Sequence, residues 1–301
     1  MTRLPPQPQQ PTRLTHNRFV HPRPGLPGRW LARLVSSPRL LAARRAVLSR
    51  LPFLVLQSEV EQVVYLNWLV DATAAARYAP PGVRLWQRDG KTLFTVLTYA
   101  HRHFGPAAAG PLRRLYPSPL QSNRRFYVDQ LPGGTRAGRV VLFVKNTLDS
   151  AIYALGSRFF SDALPSHLAA RFVHRREDGA IRTEIVPGAG SAPALRSTVR
   201  PAAARTLPAG FAGCFDSWES AVAFLCLQDS AISHVEDAGR IAHAGIDLPI
   251  DLAAVQPLEA VIGECNLPML RELGVPPGEC AQPFCFLVPA VPFRVLWERL
   301  L

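Results

Sequence analysis

Arg158-Phe159-Phe160-Ser161-Asp162-Ala163-Leu164-Pro165-Ser166-His167-Leu168-Ala169-Ala170 is the stretch on which the reading of the fold turns. A strand ending Phe143-Val144-Lys145-Asn146 precedes it, and a hairpin strand follows. Arg158 and Asp162 stand four apart, the spacing of neighbours on one helix face. Outward from this stretch the apolar period is close to two. Strand-like runs cover Val60–Val70, Thr92–His101, Arg125–Gln130, Arg139–Lys145, Ala170–Arg175, Ile181–Val186 and Cys285–Leu296. Asp89-Gly90, Pro132-Gly133-Gly134 and Glu177-Asp178-Gly179 supply turns between them. Helical signals are fewer. Asp71 is placed to cap a short helix ending before Pro80-Pro81-Gly82, and Asp216 with Glu219 resembles a capping box opening Ser217–Leu225. Strands in sequence with short helices predict an α+β domain on antiparallel sheet.

The run Gln121-Ser122-Asn123-Arg124-Arg125-Phe126-Tyr127-Val128 is unusually polar for a strand. Alternation puts Gln121, Asn123, Arg125 and Tyr127 on one face and Ser122, Arg124, Phe126 and Val128 on the other. Pointing into a barrel, the first row makes a pocket wall suited to a carboxylate or carbonyl ligand; pointing outward it is a wet strand. His101 and His103 read as solvated strand-end histidines, with a two-histidine metal half-site as the alternative. Gly188-Ala189-Gly190-Ser191-Ala192-Pro193 lacks the third glycine of a dinucleotide loop and reads as a simple loop. Cys280 and Cys285 are spaced as in some metal sites, but further ligands are missing, so buried thiols are expected and no metal.

The segment from Ala151 to Arg171, with Asn123, Arg125, Tyr127 and Val128 upstream, resembles the uncharacterised YqjF-like family of the acetoacetate decarboxylase-like superfamily. The resemblance extends from about residue 59 to 290, with its clearest motifs in 120–195. It implies a cone-like antiparallel β-barrel with flanking helices around a small-molecule cavity. In the decarboxylases a Pro-Lys-Lys element supplies a Schiff-base lysine. On this chain that element falls on Pro165-Ser166-His167, where no amine is present. The assisting acid falls near Gln121, which exchanges no proton. Lys145, on a neighbouring strand, is the alternative amine.

Charge divides the chain. The formal net charge is +12, yet residues 1–50 carry ten Arg and no acid, Glu59 being the first carboxylate. Residues 1–28 read as a disordered Pro/Arg-rich arm and 29–58 as a basic amphipathic helical segment interrupted at Pro38, before a domain over 59–301. The apolar stripe of that segment is expected to pack on the domain, with an anionic membrane or acidic partner as the alternative. The near-neutral remainder argues against a nucleic-acid face. Five Cys and no secretory signal pattern predict free thiols and a cytoplasmic setting.

Two functions remain open at this level. One is a pocket for a small carbonyl or carboxylic acid compound, without Schiff-base lysine or cofactor. There His167 is the proton carrier, Arg125 the anion clamp, Gln121, Asn123 and Tyr127 the orienting groups, and Arg158 and Lys145 further lining residues. The other is a non-catalytic scaffold whose Arg-rich arm docks on a membrane or acidic partner. Oligomeric state stays open.

Overall fold

The period-two runs fold as strands, and their pairing produces one continuous sheet. In the computed structural model, residues 17–261, 263–276, 278 and 282–301 are described. The chain enters through α1 (Leu26–Val35) and α2 (Pro38–Leu48), then forms β1 (Leu56–Asp71), α3 (Ala72–Ala76), β2 (Arg84–Leu85) and β3 (Lys91–Pro106). After a 3-10 turn at Ala107–Leu115 come β4 (Leu120–Gln130), β5 (Arg136–Leu148), α4 (Ala151–Phe160) and β6 (Ser166–Leu168). Next are β7 (Arg171–Glu177), β8 (Ala180–Val186), β9 (Leu195–Pro201), α5 (Ala209–Ala212) and α6 (Trp218–Cys226). The chain closes with β10 (Ser230–Val235), β11 (Arg240–Asp247), β12 (Gln256–Ala260), α7 (Met269–Glu272), β13 (Phe284–Val288) and β14 (Val291–Leu300).

Local chemistry explains most boundaries. Asp71 accepts from Ala74 N at 2.8 Å and starts α3 as its cap. Asp89 and Gly90 both take positive φ, as a tight hairpin turn requires. The box opening α6 lies one residue later than expected: Ser217 Oγ accepts from Ser220 N, and Ser220 Oγ accepts from Ser217 N. The run Cys285–Leu296 is two strands, β13 and β14, parted at Pro289 and Ala290, since proline cannot donate to a ladder.

β14 pairs with both β11 and β1, so β1, β3, β4, β5, β10, β11 and β14 form a ring. It is not a clean barrel. The β5–β10 contact is parallel and three residues long, and β13, β12, β9, β8 and β7 branch from β1 as a second arm. That arm curls back, bringing β7 against β3 and β4. The shared strands β1, β3, β4 and β5 are therefore covered on both faces, and two apolar cores result. One joins Phe126, Val128 and Leu142 to Ile185, Leu195 and Val199 of the curled arm. The other joins Tyr65, Leu97 and Tyr127 to Trp218, Val222 and Leu225 of α6.

Over its described part, 17–28, the segment expected as a disordered arm packs on the domain. Phe19 is buried beside Leu148, Ala154 and Leu168, and backbone bonds join Ala189 N to Pro22 O and Ser191 N to Val20 O. An apolar anchor offsets the entropy of ordering a proline-rich strap. Residues 1–16 lie outside the described residues.

His101 and His103 were expected at the surface; His101 is instead fully buried, paired with Ser58 Oγ at 2.7 Å and Gln121 Oε1 at 2.8 Å. His103 takes φ 50°, which breaks the strand alternation there. On β7, His174 pairs with Thr183 Oγ1 and donates to Gln62 O at 2.8 Å. Burial lowers both imidazoles from 6.5 to about 4. Between those values the unfolded chain binds more protons, so their contribution is present above pH 6.5 and is lost as pH falls toward 4. Urea unfolding should give a free energy that declines from pH 7 to pH 4.5, with a shallower slope in His101→Gln and His174→Gln. An unchanged slope in both variants would contradict this.

Candidate functional site

The row Gln121, Asn123, Arg125 and Tyr127 faces the inside of the strand ring, where the protein's own groups engage it. Gln121 Nε2 donates to Asn146 Oδ1 at 2.9 Å, and Asn146 Nδ2 donates to Ser166 Oγ at 2.6 Å. Asn123 Nδ2 donates to Tyr99 Oη at 3.3 Å. Arg125 Nη2 and Tyr127 Oη both donate to Leu225 O, at 2.8 and 3.2 Å. Leu225 lies in the last turn of α6, whose final carbonyls lack intrahelical donors and carry the negative end of the dipole. Arg125 thus fastens α6 to the sheet. Its Nε has no partner among the described residues. Residues 161–166 cross the same interior: Ser161 Oγ donates to Glu298 Oε2, and Ser233 Oγ donates to Ala163 O, both at 2.6 Å.

The opposite face of β4 carries a different cluster. A bulge between Arg124 and Arg125 registers Arg124 beside Lys145, and β6 registers His167 beside Thr147. Arg124 is wholly buried; its Nη2 donates to Pro193 O at 3.1 Å, while Nε and Nη1 have no partner among the described residues. Burial lowers the Arg124 guanidinium to about 9. Lys145 is lowered from 10.5 to about 8, first by burial and then by Arg158 and Arg124. Arg158 is lowered to about 10 by burial.

His167 joins this cluster and is fully buried. Its Nδ1 lies 2.7 Å from Ser191 Oγ, and its Nε2 faces Lys145 Nζ at 3.4 Å and Arg158 Nη2 at 3.5 Å. Two cationic donors at Nε2 assign the ring as neutral, with Nδ1–H donating to Ser191 and the Nε2 lone pair facing inward. Ser191 also accepts from Val20 N at 2.8 Å, which ties the imidazole to the N-terminal strap. The loop 188–193 therefore holds His167 through Ser191 and Arg124 through Pro193 O. Gly188 at φ +60° and Gly190 leave room for Pro22, since a Cβ on either would meet it within about 3 Å.

Arg158 stands at the edge of the cluster. Its Nε donates to Ser166 O at 2.5 Å and its Nη2 to Asn17 O at 2.6 Å, with the guanidinium 5.1 Å from the Phe19 ring centroid. The expected pair with Asp162 does not form. α4 ends at Phe160, and Asp162 is held by Arg44 and Arg45. A cleft of about 210 Å³ reaches Arg158 from outside, lined also by Asn17, Arg45, Asp162, Pro165 and Glu236.

Of the residues named from sequence, the fold brings His167, Lys145 and Arg158 together and sets Gln121, Asn123, Arg125 and Tyr127 on the other side of the sheet. Arg124 was missed as a site residue; the signal was two adjacent arginines in a buried strand, which alternation must send to opposite faces. Among the described residues no three His, Cys, Asp or Glu side chains gather as a metal set. Cys265 and Cys285 are buried, and Cys280 lies outside the described residues.

The depressed Lys145 ammonium has a stability consequence. Folded Lys145 releases its proton near pH 8 and the unfolded residue near 10.5, so the unfolded chain binds more protons between them and stability rises with pH there. Below pH 8 the buried charge costs its full amount. Lys145→Met should be more stable than wild type at pH 7 by urea unfolding, with the difference narrowing between pH 8 and 10. A constant difference would argue against a strained ammonium.

Known proteins place this architecture. No curated protein sequence matches the chain. The enduracididine biosynthesis enzyme MppR complexed with pyruvate is similar in structure at TM-score 0.52 and 12% identity, over 83% of this chain and 90% of that one. An acetoacetate decarboxylase-like enzyme from Sphingomonas wittichii RW1 is similar at TM-score 0.52 and 10% identity, over 83% and 94%. An acetoacetate decarboxylase is similar at TM-score 0.51 and 12% identity, over 83% and 90%. At such identities the likeness establishes the fold. A family model described as an uncharacterized conserved protein, DUF2071, matches residues 57–221, more than half of the chain. The chain belongs to the DUF2071 family and has the acetoacetate decarboxylase-like fold.

Proposed function

We propose that the chain binds a small compound carrying a carboxylate and a carbonyl where Arg124, Lys145, Arg158 and His167 converge, and acts on it by proton transfer at His167. One observation carries this reading. Three cationic side chains are buried together at depressed pKa, and Arg124 keeps two nitrogens without partners among the described residues. An isolated buried charge is costly, and an anion that accepts from one of the unpartnered N–H groups relieves that cost. Arg124 is the carboxylate anchor, replacing Arg125. Thr147 Oγ1, also without a partner among the described residues, is a further donor for the ligand. Neutral His167 presents its Nε2 lone pair to the same space and exchanges a proton with a carbon or hydroxyl next to the carbonyl. The pyruvate complex of MppR, a protein of the same fold, supports a small oxo acid as the class of ligand.

A second reading is favoured by Lys145, whose pKa near 8 leaves part of the amine neutral at physiological pH. The neutral amine adds to the carbonyl carbon; His167 Nε2 relays the two protons the nitrogen loses, one after the other, to the carbonyl oxygen, which leaves as water as the C=N bond of the imine forms.

Thermal unfolding and calorimetry with pyruvate as the probe test the proposal. At a hundredfold excess over Kd, mass action raises wild-type stability by about 2.7 kcal/mol. Arg124→Gln should lose charge-assisted bonds of about 1.5–3 kcal/mol, weakening Kd roughly ten- to hundredfold. Arg125→Gln should lower stability without that selective loss. Reduction with borohydride separates the two chemistries: a wild-type adduct absent in Lys145→Met selects the imine, and binding without an adduct selects proton transfer. If pyruvate and related small oxo acids leave the transition unmoved, the interior serves only as a scaffold.

A further inference from the structure

The two helices before β1 present apolar side chains to solvent. In α1, Leu26, Trp30 and Leu34 are exposed, Trp30 by 69%, while Gly28 and Val35 face the body. At 100° per residue these apolar positions fill one sector, and Arg29 and Arg33 border it. In α2 the inward positions are taken by Arg44 and Arg45, which pair with Asp162 and Asp237, whereas Leu40 and Val47 are exposed. The apolar stripe expected to pack on the domain therefore stays largely outside.

Neighbouring elements extend the same face. α1 and α2 both pack on α4, which exposes Phe160. Tyr153 of α4 donates to Phe104 O at 2.5 Å and stacks on the Phe104 ring, near the 3-10 turn that exposes Leu115 by 82%. Ala107 N, at the start of that turn, donates to Val55 O at 2.8 Å, just beyond α2. Arg29, Arg33, Arg39, Arg50 and Arg114 are exposed among these apolar groups. No carboxylate occurs before Glu59, and none occurs in 107–115.

We propose that this face docks on an anionic lipid bilayer. The apolar groups sit singly on convex helices with arginines between them, so each aliphatic side chain enters the interface while its neighbouring guanidinium reaches a headgroup phosphate. Among the described residues no helix is long and apolar enough to cross a membrane, so the contact is peripheral. Residues 1–16 add Arg3 and Arg13 and no acid, so by charge they complement an anionic surface and repel this face.

Co-sedimentation of the full chain with phosphatidylcholine vesicles, with and without phosphatidylserine, tests the proposal. Binding should require phosphatidylserine and weaken as salt is added. Arg29→Glu with Arg33→Glu should weaken it by about tenfold or more, because each arginine near an anionic surface contributes about 1 kcal/mol. Trp30→Ser and, on a separate element, Leu115→Ser should weaken binding while circular dichroism stays unchanged. Three outcomes overturn the proposal: no sedimentation with phosphatidylserine at low salt, equal sedimentation without it, or a wild-type dimer by light scattering that Trp30→Ser converts to monomer.

Discussion

Two consecutive guanidiniums, Arg124 and Arg125, are buried on opposite faces of one strand, and the architecture is organised around satisfying them. Backbone pleating forces the opposition, because successive side chains leave a strand in opposite directions. Arg125 meets the carbonyl end of α6, so its charge is spent on holding a helix against the ring. Arg124 meets loop carbonyls on the curled arm and keeps two nitrogens without partners among the described residues. Arg125 likewise keeps its Nε without a partner among the described residues.

That division explains why a polar strand sits at the centre of the molecule without breaking it. On the ring side, hydrogen bonds run from Ser58 through His101, Gln121 and Asn146 to Ser166 and Ser157, linking β1, β3, β4, β5, β6 and α4. A fully connected buried network rigidifies its surroundings. On the other side Lys145, Arg158 and His167 gather near Arg124, and Arg158 and Arg124 repel the Lys145 charge. The N-terminal strap connects that cluster to the surface: Val20 bonds Ser191, Ser191 bonds His167, and Asn17 O accepts from Arg158 beside the cleft. Strap, cleft and cationic cluster are thus mechanically joined.

Much of the fold was legible in the sequence because the signals behind it are local. Alternation marked β1, β3, β5 and β8, turn residues marked the β7–β8 hairpin, and Asp71 marked the start of α3. The segment 151–171 carried a resemblance that the fold bears out. Short strands such as β9 and β12 escaped notice, since five to seven residues with proline at hand carry little periodic signal. The strap over 17–28 also escaped: its composition is that of a disordered arm, and one phenylalanine in a nonlocal pocket orders it.

By itself the sequence determined the period of each strand, the pairing of odd and even residues along β4, and the presence of a histidine within the segment that carries the resemblance. Only the tertiary structure decided which parity faces which enclosure, because the curl of a sheet depends on strand pairings hundreds of residues apart and leaves no mark on any one strand. Tertiary structure likewise turned α2's arginines inward, since Asp162 and Asp237 are far from it in sequence. It placed Lys145 beside His167 for the same reason: β5 and β6 are neighbours through a crossover, and the bulge at Val144 chose the face. Composition fixed how much charge the chain must accommodate. Packing decided which of those charges were buried and which stayed at the surface.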